Sequence, residues 1–62
     1  MSEFYQQAHE NLRSIERHIM RSKNLVNQFA EYRDDITRDQ LIHTLQISIE
    51  LTKWIVDNAE EL

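Results

Sequence analysis

The sequence contains no cysteine, no glycine and no proline. Without cysteine, neither a disulfide nor a thiolate metal site can hold the fold together. Average usage would place about seven glycines and prolines in a chain of this length. Because turns between strands draw on those residues, their absence argues against a multi-stranded sheet. The composition predicts few turns and long helices.

Positive charge and long apolar runs are also scarce. The formal net charge is −4 at pH 7, which argues against binding nucleic acid or anionic membranes by bulk charge but leaves room for a local basic face. The longest apolar run is Trp54-Ile55-Val56, far short of the roughly 20 residues that span a membrane. No basic region followed by an apolar stretch marks a secretory signal near the N-terminus. We expect a small acidic cytoplasmic protein.

A single domain of 62 residues buries only about 60% of the surface that its unfolded chain exposes. Small domains usually add disulfides, a metal ion or oligomerisation. The three histidines do not suggest a metal site, because His9 and His18 lie about 180° apart around a helix and His43 stands alone. The sequence predicts neither a metal nor a cofactor and favours oligomerisation.

The first half of the chain carries a heptad pattern. Its small or apolar residues recur at alternating spacings of three and four, which is typical of the seam between two packed helices. We expect helix one to span about residues 2–32. The predicted seam consists of Tyr5, Ala8, Leu12, Ile15, Ile19, Ser22, Val26 and Phe29.

A capping pattern marks the start of a second helix. Thr37 fits the N-cap position and Gln40 the third helical position, which together form a capping box. Ile36 and Leu41 flank the cap as a hydrophobic staple would. With no glycine in the chain, a non-glycine residue near Asp34 must make the turn.

The two predicted helices form one antiparallel hairpin over residues 1–62. The loop covers about residues 33–36 and helix two about residues 37–61. A connection this short forces neighbouring helices to run antiparallel. The sequence therefore predicts an all-α fold.

Helix two carries two apolar rows, and one packing partner covers only about 100° of a helix. The first row consists of Leu41, Leu45, Ile49, Thr52, Ile55, Val56 and Ala59. The second row consists of Ile47, Leu51 and Trp54. Because helix one can cover only one row, we expect Ile47, Leu51 and Trp54 to form a dimer or partner interface. Two hairpins would then make a homodimeric four-helix bundle.

A basic stripe on helix one offers a different reading. Its three arginines repeat every four positions and face away from the predicted seam, and arginine with asparagine suits contacts to phosphates and bases. The alternative is that the arginines are solvated, or are neutralised by Glu10 and Glu16 within the helix and by acidic residues of helix two across the bundle. The possible nucleic-acid face consists of Arg13, Arg17, Arg21 and Asn24.

The segment Arg38-Asp39-Gln40-Leu41-Ile42-His43 resembles the short signature of HEPN ribonucleases. The resemblance covers six residues and implies Arg38 as a phosphate clamp and His43 as a general acid or base. Spaced five apart, the two side chains point about 140° away from each other on a helix.

Features that catalysis commonly uses are missing, since the chain offers no glycine for a phosphate-cradling loop and no cysteine nucleophile. Two packed helices also leave little concave volume for a substrate. We therefore expect a protein–protein interaction module that acts as a cytoplasmic regulator, adaptor or inhibitor without catalytic activity. A nucleic-acid-binding dimer and, third, a dimeric ribonuclease are the alternatives. Trp54 would either anchor a partner or close the open end of the hairpin with Phe4 and Tyr5.

Overall fold

A computed structural model describes residues 3–62 as two helices packed against each other. Helix α1 spans Glu3–Tyr32, helix α2 spans Asp35–Asp57, and a single 3₁₀ turn, Ala59–Glu61, follows. The expected all-α hairpin is confirmed. The loop is two residues long, shorter than expected, and the expected start of helix one at residue 2 lies outside the described residues.

The turn between the helices is made at Arg33, one residue before the expected position. Its φ of 53° lies in the left-handed region, which costs a non-glycine residue conformational energy. The Arg33 backbone N–H donates to the carbonyl oxygen of Phe29 at 2.8 Å and so satisfies one of the last carbonyls of α1. A helix C-terminus that glycine usually makes is here made by arginine.

The prediction that Thr37 caps helix two is wrong. Asp34 is the N-cap, and its Oδ2 accepts the Thr37 backbone N–H at 3.1 Å. Helix α2 therefore begins two residues earlier than expected, and Thr37 occupies the third helical position. Hydrogen bonding from the Thr37 hydroxyl and from its backbone N–H lowers the pKa of the Asp34 carboxyl below its ordinary value. Thr37 is only 3% exposed, so it fills space inside the hairpin.

The far end of the hairpin is closed by aromatic residues, as one of the two readings of Trp54 predicted. The Phe4 and Trp54 rings stack with centroids 5.6 Å apart, and Tyr5 meets Phe4 edge-on. The Tyr5 hydroxyl donates to the backbone carbonyl of Glu61 at 3.3 Å. These contacts join the start of α1 to the end of α2.

The predicted seam of helix one is wrong by one residue at every second position. Tyr5, Leu12, Ile19 and Val26 are exposed, and the preceding residues take their places: Phe4, Asn11, His18 and Leu25. The other seam residues, Ala8, Ile15, Ser22 and Phe29, are buried or half-buried as expected.

The covered row of helix two also differs from the expected one. Leu45, Ile49 and Val56 are exposed, although they belong to the row that helix one was expected to cover. The buried residues of α2 are small and polar: Thr37, Thr44 and Ser48.

Candidate interaction surface

An open apolar groove runs between the two helices on one face of the hairpin. It has a volume of about 670 Å³ and lies midway along the molecule. From α1 it is lined by Ile15 and Ile19, and from α2 by Leu45, Ser48, Ile49, Thr52, Lys53 and Val56.

The groove lies at the centre of a larger apolar face. On α1 this face adds Leu12 and Val26. Together with Ile15 and Ile19, they follow one another at spacings of three, four and seven residues. They therefore share one side of the helix, about 70–80° around from the seam. On α2 it adds Ile42. We call the groove face the set Leu12, Ile15, Ile19, Val26, Ile42, Leu45, Ile49 and Val56.

Exposure on the groove face is high for residues of this kind. Leu12 and Val26 are each 50% exposed, and Ile49 and Val56 are each 64% exposed. Large aliphatic side chains are normally among the most buried in a folded protein. A contiguous group of them on one face is a common feature of surfaces that bind another molecule.

Inside the hairpin the pattern is reversed, because polar residues fill much of the buried seam. Asn11, Ser22, Thr44 and Ser48 are each at most 6% exposed, whereas Phe4, Ala8 and Leu25 are the buried apolar residues of the described chain. The fully buried positions between α1 and α2 are thus mostly polar or small, whereas several large aliphatic side chains lie exposed on the groove face.

The buried polar groups are satisfied within their own helices. The Ser22 hydroxyl donates to the carbonyl of His18 at 2.7 Å, and the Ser48 hydroxyl donates to that of Thr44 at 3.2 Å. Asn11 Oδ1 accepts from Gln7 Nε2 at 2.8 Å. Because each of these bonds joins residues four apart on one helix, none of them ties α1 to α2.

The predicted interface residues Ile47, Leu51 and Trp54 are half-buried. At about 100° per residue, Ile47 and Trp54 lie on the side of α2 that faces away from the groove. Trp54 is partly covered by its stack with Phe4, and a second open groove beside it is lined by Glu3, Phe4, Gln7, Trp54, Asn58 and Glu61. Their use as an interface stays a prediction, and the groove face offers more exposed apolar surface.

In the part of the chain that the structure describes, the arginine stripe makes no ion pair. Arg13, Arg17, Arg21 and Asn24 are all exposed, on the side of α1 roughly opposite its groove-face residues. Within residues 3–62 the ion pairs are those of Arg38, with Asp35 and Asp39. The suggested neutralisation by Glu10 and Glu16 is therefore not seen.

The structure does not bring Arg38 and His43 together. Both are exposed on α2, and the Arg38 guanidinium lies 3.7 Å from an Asp35 oxygen and 3.6 Å from an Asp39 oxygen. The half-buried histidine is His18, whose Nδ1 lies 2.7 Å from the Ser14 carbonyl oxygen. Since a carbonyl can only accept, that nitrogen carries the proton.

Two further observations describe the surface. In the described part of the chain, no group of three or more histidine, aspartate or glutamate side chains is placed to hold a metal ion. Neither α1 nor α2, as far as residues 3–62 show, combines the length and apolar content needed to cross a bilayer.

Sequence reasoning missed the groove face because it assigned most of those residues to the seam. A second set of α1 residues at heptad spacing could have revealed it. This set competes for the seam with the more apolar set of Tyr5, Leu12, Ile19 and Val26, and it consists of Phe4, Asn11, His18 and Leu25. Comparison with known proteins adds nothing to the geometry, since the chain matches no protein-family model, no curated protein and no solved structure.

Proposed function

We propose that this chain is a protein–protein interaction module, a cytoplasmic regulator, adaptor or inhibitor without catalytic activity, that works as a homodimer of hairpins. The observation that supports the proposal is the reversed burial pattern. Polar Ser22 and Thr44 are 5% and 4% exposed, whereas Ile49 and Val56 on the same molecule are each 64% exposed. A surface of this kind is completed by another protein.

The shape of the hairpin supports the same proposal. Its principal dimensions are 46, 16 and 12 Å, and the smallest is comparable to a single helix with its side chains, about 10–12 Å. A domain normally needs two packed layers around one core. The hairpin supplies one layer, so a second hairpin laid on the groove face would complete a four-helix bundle.

The free energy that burial of the groove face would contribute is large for so small a chain. Full burial of a leucine, isoleucine or valine contributes about 1.5–3 kcal/mol. The groove face carries eight such side chains at half-buried or exposed positions, so their burial would contribute several further kcal/mol per hairpin. Since whole domains are stable by only about 5–15 kcal/mol, association would contribute a large share of the total.

Sedimentation equilibrium at micromolar concentration tests this proposal. We expect a single species of twice the chain mass of 7.5 kDa. A well-folded species of 7.5 kDa at these concentrations would contradict it.

The exposed, unpaired arginines favour a second function, binding of RNA or DNA by the dimer. Arg13, Arg17 and Arg21 point away from both the seam and the groove face, so they would stay accessible in a dimer formed on that face. Each phosphate contact would contribute to a steep loss of affinity with salt.

Changing Arg13, Arg17 and Arg21 together to glutamine separates the two functions. Exposed charges contribute only about 0–1 kcal/mol to stability, so helicity and dimer mass should be unchanged. If the interaction-module proposal is right, filter binding of wild type to structured RNA at physiological salt should be absent. RNA binding by wild type that is lost in the triple variant would establish the second function instead. No observation favours the ribonuclease alternative based on Arg38 and His43.

A further inference from the structure

We infer that the occupant of the groove face is a second copy of this chain, laid face to face and antiparallel, so that the loop of one hairpin lies beside the open end of the other. This inference rests on the proposed function, because it specifies the surface and the orientation of the proposed dimer. It differs from the sequence prediction, which placed the interface at Ile47, Leu51 and Trp54.

The position of the groove makes it suitable for a copy of itself. In a two-fold dimer the same patch is used by both subunits and must coincide with itself across the axis. The groove lies near the middle of α1, at Ile15 and Ile19, and near the middle of α2, at Leu45 and Ile49. Two hairpins joined there overlap along their full length in either orientation.

The side of the hairpin that carries the groove face is large enough for a stable dimer. It measures 46 by 16 Å, so full-length overlap of two copies would bury at most roughly 1,500 Å², within the range of about 1,200–2,000 Å² of standard interfaces. The groove face, from Leu12 to Val26 on α1, covers roughly 21 Å of that length at about 1.5 Å per residue. The groove face itself carries no charged residue; Lys53 borders it on α2, and Glu16 and Lys23 border it on α1. Burial of the groove face in a dimer therefore removes no cluster of charged side chains from water.

Charge decides between the two orientations. The open end of the hairpin carries four exposed carboxylates, Glu3, Asp57, Glu60 and Glu61, with Lys53 as the nearest cation along α2. A parallel dimer would set two such ends side by side, within the Debye length of about 8–10 Å at physiological salt. An antiparallel dimer separates them by the 46 Å length of the hairpin and places each beside the partner's loop end. There Arg33 and Arg38 offset part of the charge of the carboxylates Glu31, Asp34, Asp35 and Asp39, so the neighbouring ends repel each other less than in the parallel dimer.

Two variants of α2 test the surface. Ile49→Asp places a charge on the groove face, whereas Ile36→Asp places the same charge at a more exposed position, 71% against 64%, on the other side of the helix. Sedimentation equilibrium should show at least a tenfold weaker dimer for Ile49→Asp and no change for Ile36→Asp. Equal dimerisation of both variants would overturn the assigned surface.

Spin labels test the orientation. Because the chain has no cysteine, Tyr32→Cys places a single label at the loop end and Glu60→Cys a single label at the open end, both at exposed positions. In the antiparallel dimer each labelled protein should give a label–label distance near the 46 Å length of the hairpin. Mixing the two labelled proteins should add a component below about 20 Å, since packed helices lie about 8–10 Å apart.

The outcomes separate this inference from the proposed function. A dimer whose Tyr32→Cys labels lie within about 20 Å of each other would overturn the antiparallel orientation and leave the proposed dimer intact. Absence of any dipolar signal, together with a sedimentation mass of one chain, would contradict the dimer itself.

Discussion

At the scale of single residues, Asp34 and Arg33 determine where one helix ends and the next begins. Arg33 takes the left-handed conformation without the help of glycine, and Asp34 then accepts the Thr37 backbone N–H. The capping pattern in the sequence predicted Thr37 as the N-cap, three residues too late. Asp34 reaches the third helical N–H, which is that of Thr37, and the Thr37 side chain lies inside the hairpin.

The first prediction concerns this cap. Asp34→Ala removes the acceptor and leaves a helix N–H without a partner, so the melting temperature should fall by several degrees. Asp34→Asn keeps an acceptor of similar capping strength and should melt close to wild type at neutral pH. Thermal unfolding followed by circular dichroism measures both, and the same loss in the two variants would show that Asp34 is not the cap.

The lowered pKa of Asp34 adds a pH dependence. A depressed pKa in the folded state means that the ionised carboxylate stabilises the fold above the unfolded value of about 4 and loses that contribution as the pH falls through the folded pKa. Asparagine does not titrate. The stability of wild type relative to Asp34→Asn should therefore decline below about pH 4, and a difference that stays constant down to about pH 2 would contradict the assignment.

At the scale of the helices, the sequence predicted two helices in a hairpin but neither the 3₁₀ turn Ala59–Glu61 nor which face of each helix turns inward. The helical spacing and the absence of glycine and proline were enough for the hairpin. The seam was not predictable from hydrophobicity, because small residues such as Ser22 and Ser48 let the helices pack together while bonding to their own backbones. A ranking by apolarity therefore placed Leu12 and Ile19 inside, where the structure has Asn11 and His18.

The aromatic closure of the open end gives a prediction at this scale. Trp54→Ala removes the ring that stacks on Phe4 and should cost about 2–3 kcal/mol, somewhat below the loss for a fully buried aromatic residue. Trp54→Phe keeps a stacking ring and should cost less than half as much. Urea unfolding measures both, and equal losses would show that a stacking ring at position 54 is not what stabilises the end.

At the scale of the whole molecule, the protein is a single layer of two helices that carries its strongest apolar surface on the outside. The seam between α1 and α2 contains few buried apolar side chains. Most of the other large apolar side chains lie unburied on the groove face. Folding and association should therefore be one process. The sequence pointed towards a dimer for a related reason, the excess of apolar surface on helix two, but it could not identify the face.

The dependence of thermal unfolding on protein concentration tests this claim most directly. For a fold completed by a second copy, the melting temperature rises with concentration by mass action. Circular dichroism melts over about a hundredfold range of concentration should show a steady rise of several degrees for wild type and for Ile36→Asp. A melting temperature that is the same at every concentration would contradict the account, because the hairpin would then be stable alone with its groove face open to water.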